Sequence, residues 1–170
     1  GYMTADHILL LTRDMSTYQE LDDETKAEKK ALAEELKAKL DAYTGDDLIG
    51  YFTELADEYS EDPGKESFPE GYCFNSGMVE EYDTASRDLK EYEVSGVVES
   101  SFGYHVIMRL PTKGTDLVST YNSNYQQITV PLTYLAAPSD YDAQISDWAD
   151  DATVKYTSLY LSLIHISEPT

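Results

Sequence analysis

Apolar positions along this chain switch between two periods, and the switches mark its elements. Ala5-Asp6-His7-Ile8-Leu9-Leu10-Leu11 is a short apolar run bounded by polar residues, whose length predicts a buried strand. Between positions 24 and 43, Ala27, Ala31, Leu32, Leu36, Leu40 and Tyr43 recur at helical spacing among strong helix formers. Asp22 and Asp23 favour the N-terminus of that helix, and Gly45 is placed to end it. Thr44 or Asp46 is the candidate cap of a second helix, whose stripe is Leu48, Phe52, Leu55 and Tyr59 up to Ser60. A loop dense in turn residues fills 61–71. A short strand Tyr72-Cys73-Phe74, a turn at Asn75 to Gly77 and a helix around Val79 to Leu89 follow, then strands near Val94 to Glu99 and Tyr104 to Leu110. The set predicts a compact α+β unit.

After Pro111 the texture turns to Thr, Ser, Asn and Tyr. The alternation in Gln127-Ile128-Thr129-Val130 and Leu132-Thr133-Tyr134-Leu135 reads as an extended connection. Tyr141, Ile145, Trp148 and Ala149 recur at helical spacing behind a cap at Ser139 or Asp140, giving a short helix with an apolar face in need of a partner. Residues 162–170 break that pattern and read as a non-native tail. The organisation expected is a domain at 1–111, an extension at 112–161 and the tail at 162–170. The abrupt start on an apolar run further suggests a fragment of a longer protein.

Composition narrows the partners. With 41% hydrophobic and 12% aromatic residues, 15 of them Tyr, the chain has the material for a core. Twelve Lys plus Arg against 33 Asp plus Glu give a formal charge of −21, which repels phosphate backbones and anionic lipid, so neither nucleic acid nor direct membrane insertion is expected. Cys73 is the single cysteine; it forms no internal disulfide, fits no metal spacing and reads as a small core residue.

Four segments carry a resemblance: Ala5-Asp6-His7-Ile8-Leu9; Tyr59-Ser60-Glu61-Asp62; Gly77-Met78-Val79-Glu80-Glu81-Tyr82 with Ala85; and Glu93-Val94-Ser95-Gly96-Val97-Val98-Glu99-Ser100-Ser101-Phe102-Gly103-Tyr104-His105-Val106-Ile107. In order and spacing they resemble the parvulin family of peptidyl-prolyl cis-trans isomerases, or rotamases. The resemblance implies the parvulin-like (FKBP-like) fold, a four-stranded antiparallel sheet surrounded by helices. It implies catalysis without a cofactor or metal, by His7, Asp62 and His105. The histidines would form a hydrogen-bonded pair, with Asp62 tuning the electrostatics at the substrate carbonyl. Met78, Tyr82 and Phe102 would receive the proline ring of an unfolded or proline-containing polypeptide. Two positions depart from the family pattern: Phe68-Pro69-Glu70-Gly71-Tyr72 replaces a glycine-rich turn, and Tyr92 stands where glycine is common.

Plainer readings exist for the same residues. A lone histidine at a strand start is more often structural than catalytic, and Met78, Tyr82 and Phe102 taken alone are ordinary core. His7, Asp62 and His105 as metal ligands fit no known ligand spacing. Covalent catalysis is disfavoured because the position beside the histidines is Asp62 and not Cys. The loop after the first strand, Arg13 to Asp23, is net acidic and does not suit a phosphorylated residue before proline. The segment from Tyr141 to Tyr160 resembles the closing helix of extracytoplasmic foldase lipoproteins of Gram-positive bacteria. That resemblance implies an extracytoplasmic location, anchored in the full-length protein, and an incomplete chaperone module. The alternative function is a chaperone or peptide-binding module with little turnover.

Overall fold

The computed structural model describes residues 1–136. Strand β1 (Met3–Leu11) is followed by helices α1 (Asp23–Asp41) and α2 (Leu48–Tyr59), a short β2 (Tyr72–Phe74), helix α3 (Glu80–Asp88), and strands β3 (Val94–Glu99) and β4 (Gly103–Leu110). A hairpin, β5 (Leu117–Tyr121) and β6 (Gln127–Pro131), and a short helix α4 (Leu132–Ala136) come next. The main sheet is four-stranded and antiparallel in the order β2-β1-β4-β3. A compact unit runs from Gly1 to Leu132. Among the described residues no helix is long and apolar enough to cross a membrane.

The continuous apolar run of β1 follows from its central place, since both faces are covered. Ile8 and Leu10, with Tyr104, Val106 and Met108 of β4, pack against Leu36 and Leu40 of α1 and Phe52 and Leu55 of α2. Met3, Ala5 and Ile107 point the other way, against Phe74 and Tyr82. A strand buried on both sides loses the polar alternation of a surface strand. His7 and His105, at 7% and 3% exposure, are therefore inside the sheet's second face and not on its rim.

Local rules account for most boundaries. Asp22 caps α1 by accepting from Thr25 N at 2.8 Å. The helix stops at Ala42, before Gly45, and Tyr43 leaves it to stack on Tyr51 with ring centroids 4.4 Å apart. The cap of α2 is Asp47, accepting from Gly50 N at 2.8 Å, in place of the expected Thr44 or Asp46. Between Val94 and Val97 the register of β3 shifts. There Ser95 Oγ accepts from Ile107 N at 2.9 Å, so a side chain supplies the bond lost from the ladder.

Two expectations for the segment after Pro111 are corrected. Residues 117–131 form a paired hairpin and not an extended connection, with Leu117 opposite Pro131 and Tyr121 opposite Gln127. Leu132-Thr133-Tyr134-Leu135 opens the helix α4 rather than extending a strand; so short an apolar run has no period that separates the two. The hairpin is held by Asp116, whose Oδ2 accepts from Thr4 Oγ1 at 2.6 Å and Lys113 N at 2.8 Å, while its carbonyl accepts from Leu132 N. The helix expected around 140–149, the helical segment 141–160 and the tail lie outside the described residues.

Candidate active site

In the β1–β4 ladder His7 stands opposite Ile107 and Leu9 opposite His105. The histidines are therefore diagonal neighbours on one face. Their rings meet edge to face, centroids 5.1 Å apart at 74°. The expected hydrogen bond between them is absent: the rings meet edge to face, and both His7 ring nitrogens and His105 Nδ1 have no hydrogen-bond partner. His105 Nε2 shares a 2.7 Å hydrogen bond with Ser100 Oγ, and Ser100 Oγ also accepts from Phe102 N at 3.1 Å. His7 Nε2 faces Asp62 Oδ2 at 3.3 Å, an ion-pair distance without hydrogen-bond geometry.

The approach of Asp62 is built by the chain leaving α2. Glu61 N donates to Leu9 O at 2.8 Å, Ser60 Oγ accepts from Leu9 N at 3.0 Å, and Glu61 Oε2 accepts from Leu11 N at 2.8 Å. Residues 60–61 thus continue where β2 stops pairing with β1, and they set Asp62 beside His7. Tyr72 Oη donates to Asp62 Oδ2 at 2.6 Å and Gly64 N donates to Oδ1 at 3.0 Å. The Tyr72 ring in turn stacks on His7, centroids 5.6 Å apart.

These surroundings set the charges. Burial pushes the Asp62 carboxyl up, but His7, Tyr72 and the Gly64 amide favour the ionised form more strongly, and the net result is a fall to about 2. Burial, seconded by repulsion from His7, lowers His105 to about 3. His105 is neutral at any working pH and Asp62 is a carboxylate. Burial, then the bond to Asp62, raises Tyr72, which stays a phenol donor.

The expected apolar residues converge on the same place. Met78, Tyr82 and Phe102 line a cleft of about 300 Å³ together with His7, His105 and Asp62. Tyr82 is the most enclosed, at 2% exposure, with its ring edge-on to His7 at 5.1 Å and its hydroxyl donating to Ala5 O at 3.3 Å. All six residues singled out in the sequence are brought together. Sequence reasoning assigned no site role to Ser100 and Tyr72, nor to Leu9, Leu11, Met15 and Pro63 in the lining, although Leu9 and Ser100 stand in the motif segments. Leu9 was legible as the same-face neighbour two residues past His7; Ser100 and Tyr72 act across turns and carried no periodic signal. Cys73 is buried, as expected. No cluster of three or more His, Cys, Asp or Glu suited to a metal occurs among the described residues.

Both departures from the family pattern have a backbone account. Gly71 has φ +89 and its N–H closes a turn to Phe68 O, so the turn before β2 keeps glycine where a left-handed residue is needed. Tyr92 has φ +70, the conformation that makes glycine common there, and its N–H is held by Arg109 O at 2.8 Å.

The family model described as the PPIC-type PPIASE domain matches residues 2–110. The chain is 44% identical over 77 residues to a "Foldase protein PrsA" of Geobacillus kaustophilus, covering 44% of this chain and 25% of that protein. It is 34% identical over 118 residues to a "Chaperone SurA" of Yersinia pestis, covering 67% of this chain and 24% of that one. The matched region thus spans about a quarter of the length of these curated relatives. Among solved structures, the PPIase domain of TBPAR42 superposes with a TM-score of 0.52 at 22% identity, over 64% of this chain and 99% of that one, a likeness of fold.

Proposed function

The chain belongs to the PPIC-type family of peptidyl-prolyl cis-trans isomerase domains, and from that premise we propose that the cleft between β1, β4 and α3 is its active site and turns Xaa-Pro bonds in unfolded polypeptides. The barrier to be lowered is about 18–20 kcal/mol and arises from amide resonance, so no bond has to break. The proline ring sits among Met78, Tyr82, Phe102 and Leu9, and the carbonyl before it lies towards His7 and Asp62. In the planar amide that oxygen carries resonance charge, and in the twisted amide it carries less. An ionised Asp62 beside it raises the planar form relative to the twisted one, and an apolar cleft withholds the water that would stabilise the planar dipole. His105, neutral and anchored by Ser100, fixes the floor and orients His7.

The observation that carries this reading is the Asp62 carboxylate, 3.3 Å from His7 and bonded by Tyr72 and the Gly64 amide, set in the lining of the cleft that holds Met78, Tyr82 and Phe102. Asp62→Asn keeps the shape and removes the charge. Exchange spectroscopy on a proline peptide should then find kcat/KM lowered by about 10²-fold, the scale of one electrostatic group in a dry site. Unchanged turnover would remove Asp62 from the mechanism.

The chemistry of the site also sets its substrate. The loop after β1 sets Asp14, Glu20, Asp22 and Asp23 around a single Arg13, and Glu20 is ion-paired to Lys26, so a phosphorylated residue before proline is not the preferred ligand. The isomerase domain occupies 1–111, residues 112–161 are part of an incomplete chaperone module that a longer protein completes, and 162–170 are a non-native tail. In keeping with foldase and chaperone relatives, that protein works outside the cytoplasm, anchored by a segment beyond this chain. A second reading, peptide binding with little turnover, is favoured by the chaperone relative. His7→Ala separates the two: lost isomerisation with holdase activity intact assigns them to different surfaces.

A further inference from the structure

A second groove adjoins the cleft and has no role in the chemistry above. It has a volume of about 530 Å³ and runs between β2 and β5. Tyr72, Gly77 and Met78 line both spaces, so the groove opens directly from the cleft. Its own walls are Tyr2, Phe68, Phe74, Val118 and Tyr121. None of its lining residues is Asp, Glu, Lys or Arg, in a chain with 33 acidic side chains.

The groove also follows a sheet edge. β2 is the terminal strand of the main sheet, and β5 lies in a separate two-stranded sheet that packs beside β2 without pairing with it. The opposite wall is held in place, since Val118 is 3% exposed and Asp116 ties the hairpin to Thr4 of β1. Two aromatic side chains stand at the mouth, Tyr2 at 41% and Tyr121 at 68% exposure.

We propose that this groove is a second substrate subsite, which takes an uncharged, aromatic-bearing segment of the same polypeptide that presents its proline to the cleft. The inference rests on the isomerase reading for its partner. Continuity with the cleft identifies the occupant as the flank of the substrate chain, and the uncharged aromatic lining selects neutral residues. Acidic flanks are repelled by the surrounding charge of −21. The groove thus sets KM for long clients and leaves the chemical step alone.

The test compares an Ala-Xaa-Pro-Ala peptide with versions extended at either end by Thr-Tyr-Thr-Tyr or by Thr-Glu-Thr-Glu, by exchange spectroscopy. At least one tyrosine extension should lower KM about tenfold, equivalent to about 1.4 kcal/mol, with kcat unchanged; the glutamate extensions should not. The double variant Tyr2→Glu, Tyr121→Glu, both at exposed positions, should erase the gain while turning over the short peptide normally. No gain from either tyrosine extension, or a gain that survives the double variant, would overturn the subsite. If the short peptide is not turned over at all, the isomerase reading fails by itself, and the groove is judged by the Kd of the extended peptides. Weaker binding to the double variant then supports it, and equal binding refutes it.

Discussion

His105 is the residue whose environment has the clearest thermodynamic signature. Its folded pKa of about 3 lies below the ordinary value of 6.5. Between those values the unfolded chain binds a proton that the folded one does not, so stability falls as pH drops through that window, by up to about 1.4 kcal/mol per pH unit. Asp62 adds a loss of the same sign lower down, between 3.8 and about 2. Asp6, raised mainly by burial, acts in the opposite direction. Comparing the protein with its His105→Asn variant cancels the other groups. Denaturant melts from pH 7 to 4 should give a flatter pH dependence for the variant, and parallel curves would contradict a buried neutral His105. Tyr72→Phe removes the donor to Asp62 at 2.6 Å; the Asp62 pKa, followed by NMR, should rise.

At the scale of elements, two turns hold the sheet that carries the site. A Cβ on Gly103 would lie 2.1 Å from Leu10 O, so the glycine lets β4 close on β1 at the level of the histidines. Gly103→Ala should cost more than about 3 kcal/mol, the upper range of ordinary substitutions, read as a fall in the denaturation midpoint. Tyr92 carries the reverse strain: it is 53% exposed at φ +70, and Tyr92→Gly should stabilise by about 1 kcal/mol. An unchanged or lowered midpoint would refute that account.

The same elements explain what the sequence made legible. β1, α1, α2 and β4 were readable because each is long enough for its period to register, and β4 also carries the Phe-Gly-Tyr-His motif. The hairpin was half-read: Gln127 to Val130 alternates, but Leu117-Val118-Ser119-Thr120-Tyr121 has no apolar–polar alternation and is mostly exposed, so only its partner strand reveals it. The six site residues came from a family resemblance, and the structure sets them around one cleft. The histidine pairing was misjudged because sequence gives neither the diagonal register of His7 and His105 nor their edge-to-face rings, and Ser100, across a turn, takes His105 Nε2.

For the whole molecule, the question is how far the isomerase domain reaches. The family match ends at residue 110, while the compact unit continues to Leu132. On the proposed boundary a chain ending at residue 111 still folds and isomerises short peptides, but it loses the packing of Val118 and the Thr4–Asp116 bond. Its stability should drop by about 2–4 kcal/mol, one buried side chain plus one hydrogen bond, measured against a chain ending at Leu132. A chain ending at 111 that does not fold would place the hairpin inside the domain.

The most direct test of the account is NMR exchange spectroscopy on an Ala-Xaa-Pro-Ala series with catalytic amounts of the protein and of its His105→Ala variant. The account predicts cis-trans exchange accelerated far beyond its uncatalysed time of tens of seconds or more, with that acceleration largely removed in a variant that remains folded. No acceleration by the folded, unsubstituted protein would contradict it and leave a parvulin fold that binds peptides without turning them.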